Sequence, residues 1–265
     1  MSEQSDVVLY EVKDHVAIIT LNRPERLNAW TGAMGAAYFA SLDRAEADPD
    51  VRVIVVTGAG RGFCSGADMD MLQGIGSGAS DPNATVERRD ATYAMGVGKL
   101  VIAAVNGSCA GLGFVHALAC DLRFAAAGAK FTTAFSRRGL IAEHGVSWTL
   151  PRLAGQAVAM DLLVSGRVFL AEEALEMGVV NKVFPVEDLM AETLAYAREV
   201  AENVAPVSIS VIKHQVYNHP GASLADAMID SNKVMVESLK RSDFKEGVAS
   251  FLEKRPPAFT PYTGK

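Results

Sequence analysis

Two short loops rich in small residues could do chemistry through their backbone. One is Phe63-Cys64-Ser65-Gly66-Ala67-Asp68, and the other is Asn106-Gly107-Ser108-Cys109-Ala110-Gly111-Leu112-Gly113. Each follows a strand or a turn, and the second opens a helix. Set side by side, such loops can aim two backbone N–H groups at one oxygen, with a helix dipole behind one of them. That is the layout of an oxyanion hole, where each donor is typically worth about 3–4 kcal/mol in a transition state. A third stretch, Gly58-Ala59-Gly60-Arg61-Gly62, also follows a strand, but Phe63 stands where a dinucleotide fingerprint needs its third glycine. It reads as a tight turn that uses glycine's backbone freedom.

The elements that must hold these loops alternate between strand and helix, which indicates an α/β architecture. Residues 7–14 alternate in polarity and 15–21 form a buried-strand run, a hairpin turning near Lys13-Asp14. Thr31 caps a helix through 43 whose apolar face includes Met34, Tyr38 and Leu42. Strands are predicted at 51–57, 101–105, 122–126 and 179–184, and helices at 112–119, 148–153, 156–165 and 171–177. From about 186 onward the pattern is helical, through 188–204, 208–217, 224–238 and 243–252. Residues 74–84 read as a flexible loop, either a lid or a connection. No residue from Leu100 to Cys120 carries a formal charge, and Gly107 and Gly111 form a GxxxG. The breaks at Asn106-Gly107-Ser108 and Gly111-Leu112-Gly113 nevertheless make this strand, turn and short buried helix, not a membrane span.

A chain of 265 residues can bury roughly 70–75% of its unfolded surface without disulfides or metal. Its 25 basic and 31 acidic residues leave a net charge of −6, which argues against a nucleic-acid or anionic-membrane partner. The three cysteines lack CxxC spacing and lie in apolar surroundings, so they read as buried thiols in a reducing cytoplasm. Met1 to Asp6 shows neither a basic nor an apolar leader region. No metal-ligand set is evident.

Several motifs then occur in order: Leu21-Asn22-Arg23-Pro24, Leu27-Asn28-Ala29, Phe63-x-x-Gly66-x-Asp68, Ala104-Val105-Asn106-Gly107, Cys120-Asp121 and Pro151-Arg152-Leu153. Gly166-Arg167, Ala171-x-x-Ala174, Gly178-x-Val180 and Lys254-Arg255-x-Pro257-x-Phe259 follow. The succession resembles the crotonase (enoyl-CoA hydratase/isomerase) superfamily over nearly the whole chain. The resemblance implies a spiral of ββα turns over 1–190 carrying an acyl-CoA site, and a helical region over 191–265 that builds trimers or dimers of trimers. It implies an acyl-CoA thioester as substrate, coenzyme A being part of that substrate and not a separate cofactor. It assigns the N–H groups of Ala67 and Leu112 to an oxyanion hole that stabilises a thioester enolate. Most relatives have glycine where Leu112 stands.

The departures bear on the reaction. The two positions that carry glutamate in typical hydratases of the family match Val115 and Phe135 here, and neither can carry a proton. Several isomerase and dehalogenase branches place an acidic residue where this chain has Glu143, in Gly139-Leu140-Ile141-Ala142-Glu143-His144-Gly145. Apolar flanks favour the protonated carboxyl, which suits acid/base work near neutral pH. Glu143 could instead cap the following helix. His144 could orient Glu143, enter the site or pack at a turn, and a Glu143/His144 pair leaves hydrolysis open. His116, one residue past the vacated position, reads as a satisfied core histidine. Phe135 and Trp148 line an acyl pocket or pack in the core. Arg23, Arg26 and Lys254 could meet phosphates, with Ala29, Ala67 and Asp68 bordering the adenine and pantetheine. The expected activity is enoyl-CoA hydration or double-bond isomerisation. Non-catalytic acyl-CoA binding is the alternative that loss of both customary glutamates would also suit.

Overall fold

A computed structural model describes residues 6–76 and 89–262. The chain opens with an antiparallel hairpin of β1 (Val8–Lys13) and β2 (Val16–Leu21). Its two turn residues, Asp14 and His15, are both left-handed (φ 51° and 62°), the twist that tight hairpins require. Then come α1 (Gly32–Ala47), β3 (Val53–Gly58), β4 (Gly62–Cys64), α2 (Met69–Gly76), β5 (Leu100–Val105), β6 (Ser108–Ala110) and α3 (Leu112–Ala119). β7 (Leu122–Ala126) and β8 (Lys130–Thr132) precede α4 (Val146–Ala154), α5 (Gln156–Ser165), β9 (Phe169–Leu170), α6 (Ala171–Glu176) and β10 (Lys182–Phe184). Four helices finish the chain: α7 (Leu189–Asn203), α8 (Pro206–Asn218), α9 (Leu224–Ser238) and α10 (Ser242–Glu253).

The strands form two sheets. The larger runs β1-β2-β3-β5-β7-β10 and is parallel after the first pair; the smaller runs β4-β6-β8-β9. The pairs β3/β4, β5/β6 and β7/β8 each send one strand to each sheet, so the backbone climbs as a spiral. β3 is buried along its whole length, as a central parallel strand covered on both faces must be. Phe114, Phe131 and Phe169 pack ring on ring between α3 and the small sheet.

The short strands of the second sheet were not legible as strands: 62–64 and 108–110 read as loops, because three residues are too few to show a period. The strand predicted over 179–184 shrinks to β10, since the N–H groups of Val179 and Val180 turn back to the Ala174 carbonyl and close α6. The helix predicted to end at 43 runs to Ala47, with Lys99 Nζ donating to the carbonyls of Ala45 and Asp48 at its end. Thr31 caps it as expected, accepting from the Met34 N–H. The boundary drawn between 190 and 191 falls inside α7, which buries Leu189, Thr193, Ala197 and Val200 while lying over the large sheet. Of the stretch 74–84, only the end of α2 lies within the described residues.

Lys213 on α8 donates to Asp121 and to the carbonyls of Ala94 and Lys99, anchoring the helical region to the spiral. α9 buries nothing in the single chain, and Ile229, Phe251 and Leu252 are exposed. A cavity of about 450 Å³ lies between α8 and α10, lined by Val207, Phe244, Phe251 and Phe259 among others. Among the described residues no helix is long and apolar enough to cross a membrane.

Candidate active site

The loop after β4 and the start of α3 meet across glycines. Gly66 sits so close to the second loop that a methyl on it would lie 3.0 Å from the Ala110 oxygen and 3.7 Å from the Leu112 nitrogen. Gly113 is tighter still, because a methyl there would fall 2.3 Å from the Cys64 oxygen. Only glycine lets α3 seat on β4 this way. Ala67 forms an isolated parallel bridge with Trp30: the Trp30 N–H donates to Gly66 and the Asp68 N–H donates to Trp30. In that pattern the Ala67 N–H points to the opposite side. The Leu112 N–H is the first of its helix and has no intrahelical acceptor. Among the described residues no protein group accepts from either one. The fold thus brings two free donors together at the positive end of a helix, an arrangement able to hold an oxyanion.

Arg23 clamps this region. Its guanidinium donates to the Ala29 carbonyl at 2.7 Å and to Asp68 Oδ2 at 2.9 Å. The hydrogen bond from Arg23, outweighing the opposing effect of desolvation, holds the Asp68 carboxyl below its usual range. Both groups are largely buried, so Asp68, Ala29 and Arg23 hold one another in place here. Arg26 is exposed, 3.5 Å from Asp70. Buried Asn28 and partly buried Asn106, which spacing did not single out as site residues, fasten the turn after β3 by bonds to Ala59, Gly60 and Gly62. Their signal was an Asn beside Gly-rich loops, with Asn28 itself left-handed (φ 55°).

Glu143 precedes α4, which packs against α3. The capping position is taken by Gly145 without any side-chain bond, so Glu143 does not cap the helix. Its carboxylate instead lies 3.8 Å from His144 Nε2, both side chains being partly open. The apolar flanks do not wrap it as expected: Leu140 and Ile141 are themselves exposed. Gly145 approaches Thr92, which brings the 92–96 segment alongside. His116 is buried as expected but not satisfied, for its Nδ1 has no hydrogen-bond partner. Burial, with a smaller contribution from His144, pushes its imidazole down to about 3.

Residues 11–261 match the enoyl-CoA hydratase/isomerase family. The chain is 39% identical to 1,2-epoxyphenylacetyl-CoA isomerase of Escherichia coli K12, over 96% of this chain and 98% of that protein. It is similar to a solved enoyl-CoA hydratase from Mycobacterium marinum (51% identity, TM-score 0.71, 82% of this chain and 100% of that one). A second solved hydratase, from Polaromonas sp. JS666, superposes with a TM-score of 0.88 at 32% identity, covering 95% and 99%. The chain belongs to the enoyl-CoA hydratase/isomerase family. As a member, it is an acyl-CoA enzyme with the fold that the motifs implied.

In this family member Val115 is buried on α3 and Phe135 is buried against the core. Trp148 is 40% exposed and carries Arg152 over its face at 3.8 Å; in the single chain it is a surface ring. Lys254 is exposed at the end of α10. The structure brings the start of α3 at Leu112 against the Gly66–Asp68 segment and ties Asp68 to Ala29 through Arg23. His144 lies near His116 of α3 with Glu143 beside it, Arg26 borders the first loop through the Ser65 hydroxyl, which donates to its carbonyl, and Trp148 lies on the surface.

Proposed function

We propose that this enzyme moves the double bond of an enoyl-CoA thioester. Glu143 removes a proton from the acyl chain, and the electron pair shifts to the thioester oxygen. The N–H groups of Ala67 and Leu112 hold the resulting dienolate, and the same carboxyl returns the proton at the other end of the conjugated system. No further cofactor enters this balance. The observation that carries the reading is a single, uncapped carboxylate at Glu143 combined with apolar Val115 and Phe135. One carboxyl can shuttle one proton, whereas hydration asks for both water activation and protonation of carbon. An acid/base residue of this kind contributes about 10²–10⁴-fold, and each amide about 3–4 kcal/mol. The similarity to an isomerase of an acyl-CoA supports the same side. The apolar faces of α9 and α10 support assembly into trimers or pairs of trimers, and the buried thiols support a cytoplasmic setting.

The test follows ultraviolet absorbance with a short 3-enoyl-CoA and, separately, its conjugated 2-enoyl isomer. Isomerisation gives a rise with the first that Glu143→Gln abolishes. Loss of absorbance from the conjugated compound with a 3-hydroxyacyl-CoA product assigns hydration instead. Release of free CoA thiol assigns hydrolysis through Glu143 and His144, and binding without turnover makes the protein an acyl-CoA binder.

A further inference from the structure

Trp30 and His116 lie outside both loops, yet each is tied to one of the two donors. Trp30 brackets Ala67 with its own backbone, donating to Gly66 at 2.7 Å and accepting from Asp68 at 2.9 Å. His116 lies one helical turn beyond Leu112 on α3. Their rings stack with centroids 3.8 Å apart and planes 23° from parallel. Tyr38 meets both edge-on, at 5.4 and 5.3 Å, and all three are buried. A buried imidazole recruited for hydrogen bonding has its nitrogens paired, whereas Nδ1 of His116 is sealed without a partner. The His116 ring meets Trp30 with its flat face. The other fixed point of α3 is Gly113 against Cys64. α3 is therefore seated on the 64–68 segment at one end and, through His116, on that segment's bridge partner one turn later. Two such contacts set both the height and the tilt of the helix start.

We propose that the Trp30–His116 stack is the spacer that sets the separation of the Ala67 and Leu112 N–H groups, making both aromatic residues positioning residues for the thioester oxygen. This rests on the reading of those amides as the oxyanion donors. The donors must stand about 2.7–3.1 Å from the oxygen, so a change of stack thickness by a fraction of an ångström weakens one of them. Leucine at either position keeps apolar bulk but removes the face-to-face spacing. Phenylalanine keeps a face.

The probe is butyryl-CoA labelled at its carbonyl, a saturated thioester with no double bond to move, bound to the intact protein and read by infrared difference spectroscopy. In the wild type, two N–H donors lower the carbonyl frequency relative to free butyryl-CoA. His116→Leu and Trp30→Leu each lose more than half of that displacement, while His116→Phe and Trp30→Phe keep it. With an enoyl-CoA substrate, the leucine variants lose about tenfold in kcat with KM within about twofold. A folded, ligand-bound His116→Leu that keeps the full displacement overturns the spacer. Equal loss in His116→Phe overturns it too, by assigning the effect to a ring nitrogen. Should His116→Leu fail to fold, the Trp30 pair decides between the same outcomes. Butyryl-CoA that binds the wild type with no displacement removes the oxyanion reading itself.

Discussion

Replacing Gly113 with alanine measures how closely α3 must sit on β4. The added methyl would fall 2.3 Å from the Cys64 oxygen and 2.7 Å from the Cys64 Cβ, where ordinary carbon–oxygen contact begins near 3.4 Å. The obstacle is backbone of a buried strand and cannot rotate away, so the helix start retreats by roughly 1 Å. Overpacking of this kind costs up to about 3 kcal/mol. Alanine's better helix propensity returns about 1 kcal/mol, leaving a net loss of about 2 kcal/mol. In a chain of this size that lowers Tm by roughly 4–8 °C. A misplacement of about 1 Å can cost about 100-fold in rate, because the Leu112 N–H moves with the helix. Gly32→Ala is the matched control. It opens α1, meets nothing within 4 Å, and is expected to leave Tm unchanged or raise it slightly. Thermal unfolding by circular dichroism and turnover of the enoyl-CoA proposed above are measured on both variants. If Gly113→Ala melts with the wild type and keeps its rate, the seating of α3 on Cys64 does not position the donor, and the reasoning fails.

Other expectations are independent of that contact. Arg23 holds Asp68 below the ordinary carboxylate range, so this stabilisation is full above about pH 4 and disappears as pH falls through the lower folded value. Asp68→Asn should therefore melt below the wild type at pH 7, with the gap closing as pH falls through the lowered folded value; a gap indifferent to pH counts against the clamp. Lys213→Met leaves the Asp121 carboxylate without its buried cation, a loss of about 3–5 kcal/mol and roughly 10 °C in Tm; a drop under about 3 °C would show that α8 is held otherwise. Burial pushes the Cys64 and Cys120 thiols up to about 12 and raises Cys109 well above its usual value. All three should resist alkylation at pH 8 until the protein is unfolded, and mass spectrometry showing labelling of the native enzyme would contradict their burial.

Much of the fold was legible because long elements show a period. The hairpin, the capping Thr31 and the helices over 112–119, 156–165 and 224–238 could be read directly, as could the buried strands with their β-branched runs. The small sheet could not, since β4, β6 and β8 span three residues each and exist only because the spiral stacks them. The same limit shaped the site. Glycine-rich spacing pointed to two loops that could share an oxygen, but Gly66 and Gly113 acquire their necessity from what lies across from them. Arg23 stood in a polar loop, and nothing local showed that its guanidinium bonds Asp68 and the Ala29 carbonyl. His116 looked like a satisfied core residue and has an orphaned nitrogen.

From the order of residues alone came the family, the α/β alternation, the absence of glutamate at positions 115 and 135 and the presence of one at 143, because these depend only on residue identity and local period. Tertiary structure alone decided that the Ala67 N–H turns away from Trp30, that α3 rests on Cys64, that Glu143 is left uncapped and that Trp30 stacks on His116. Those facts arise from contacts between segments far apart in the chain. No local preference encodes such contacts; close packing across the two sheets does.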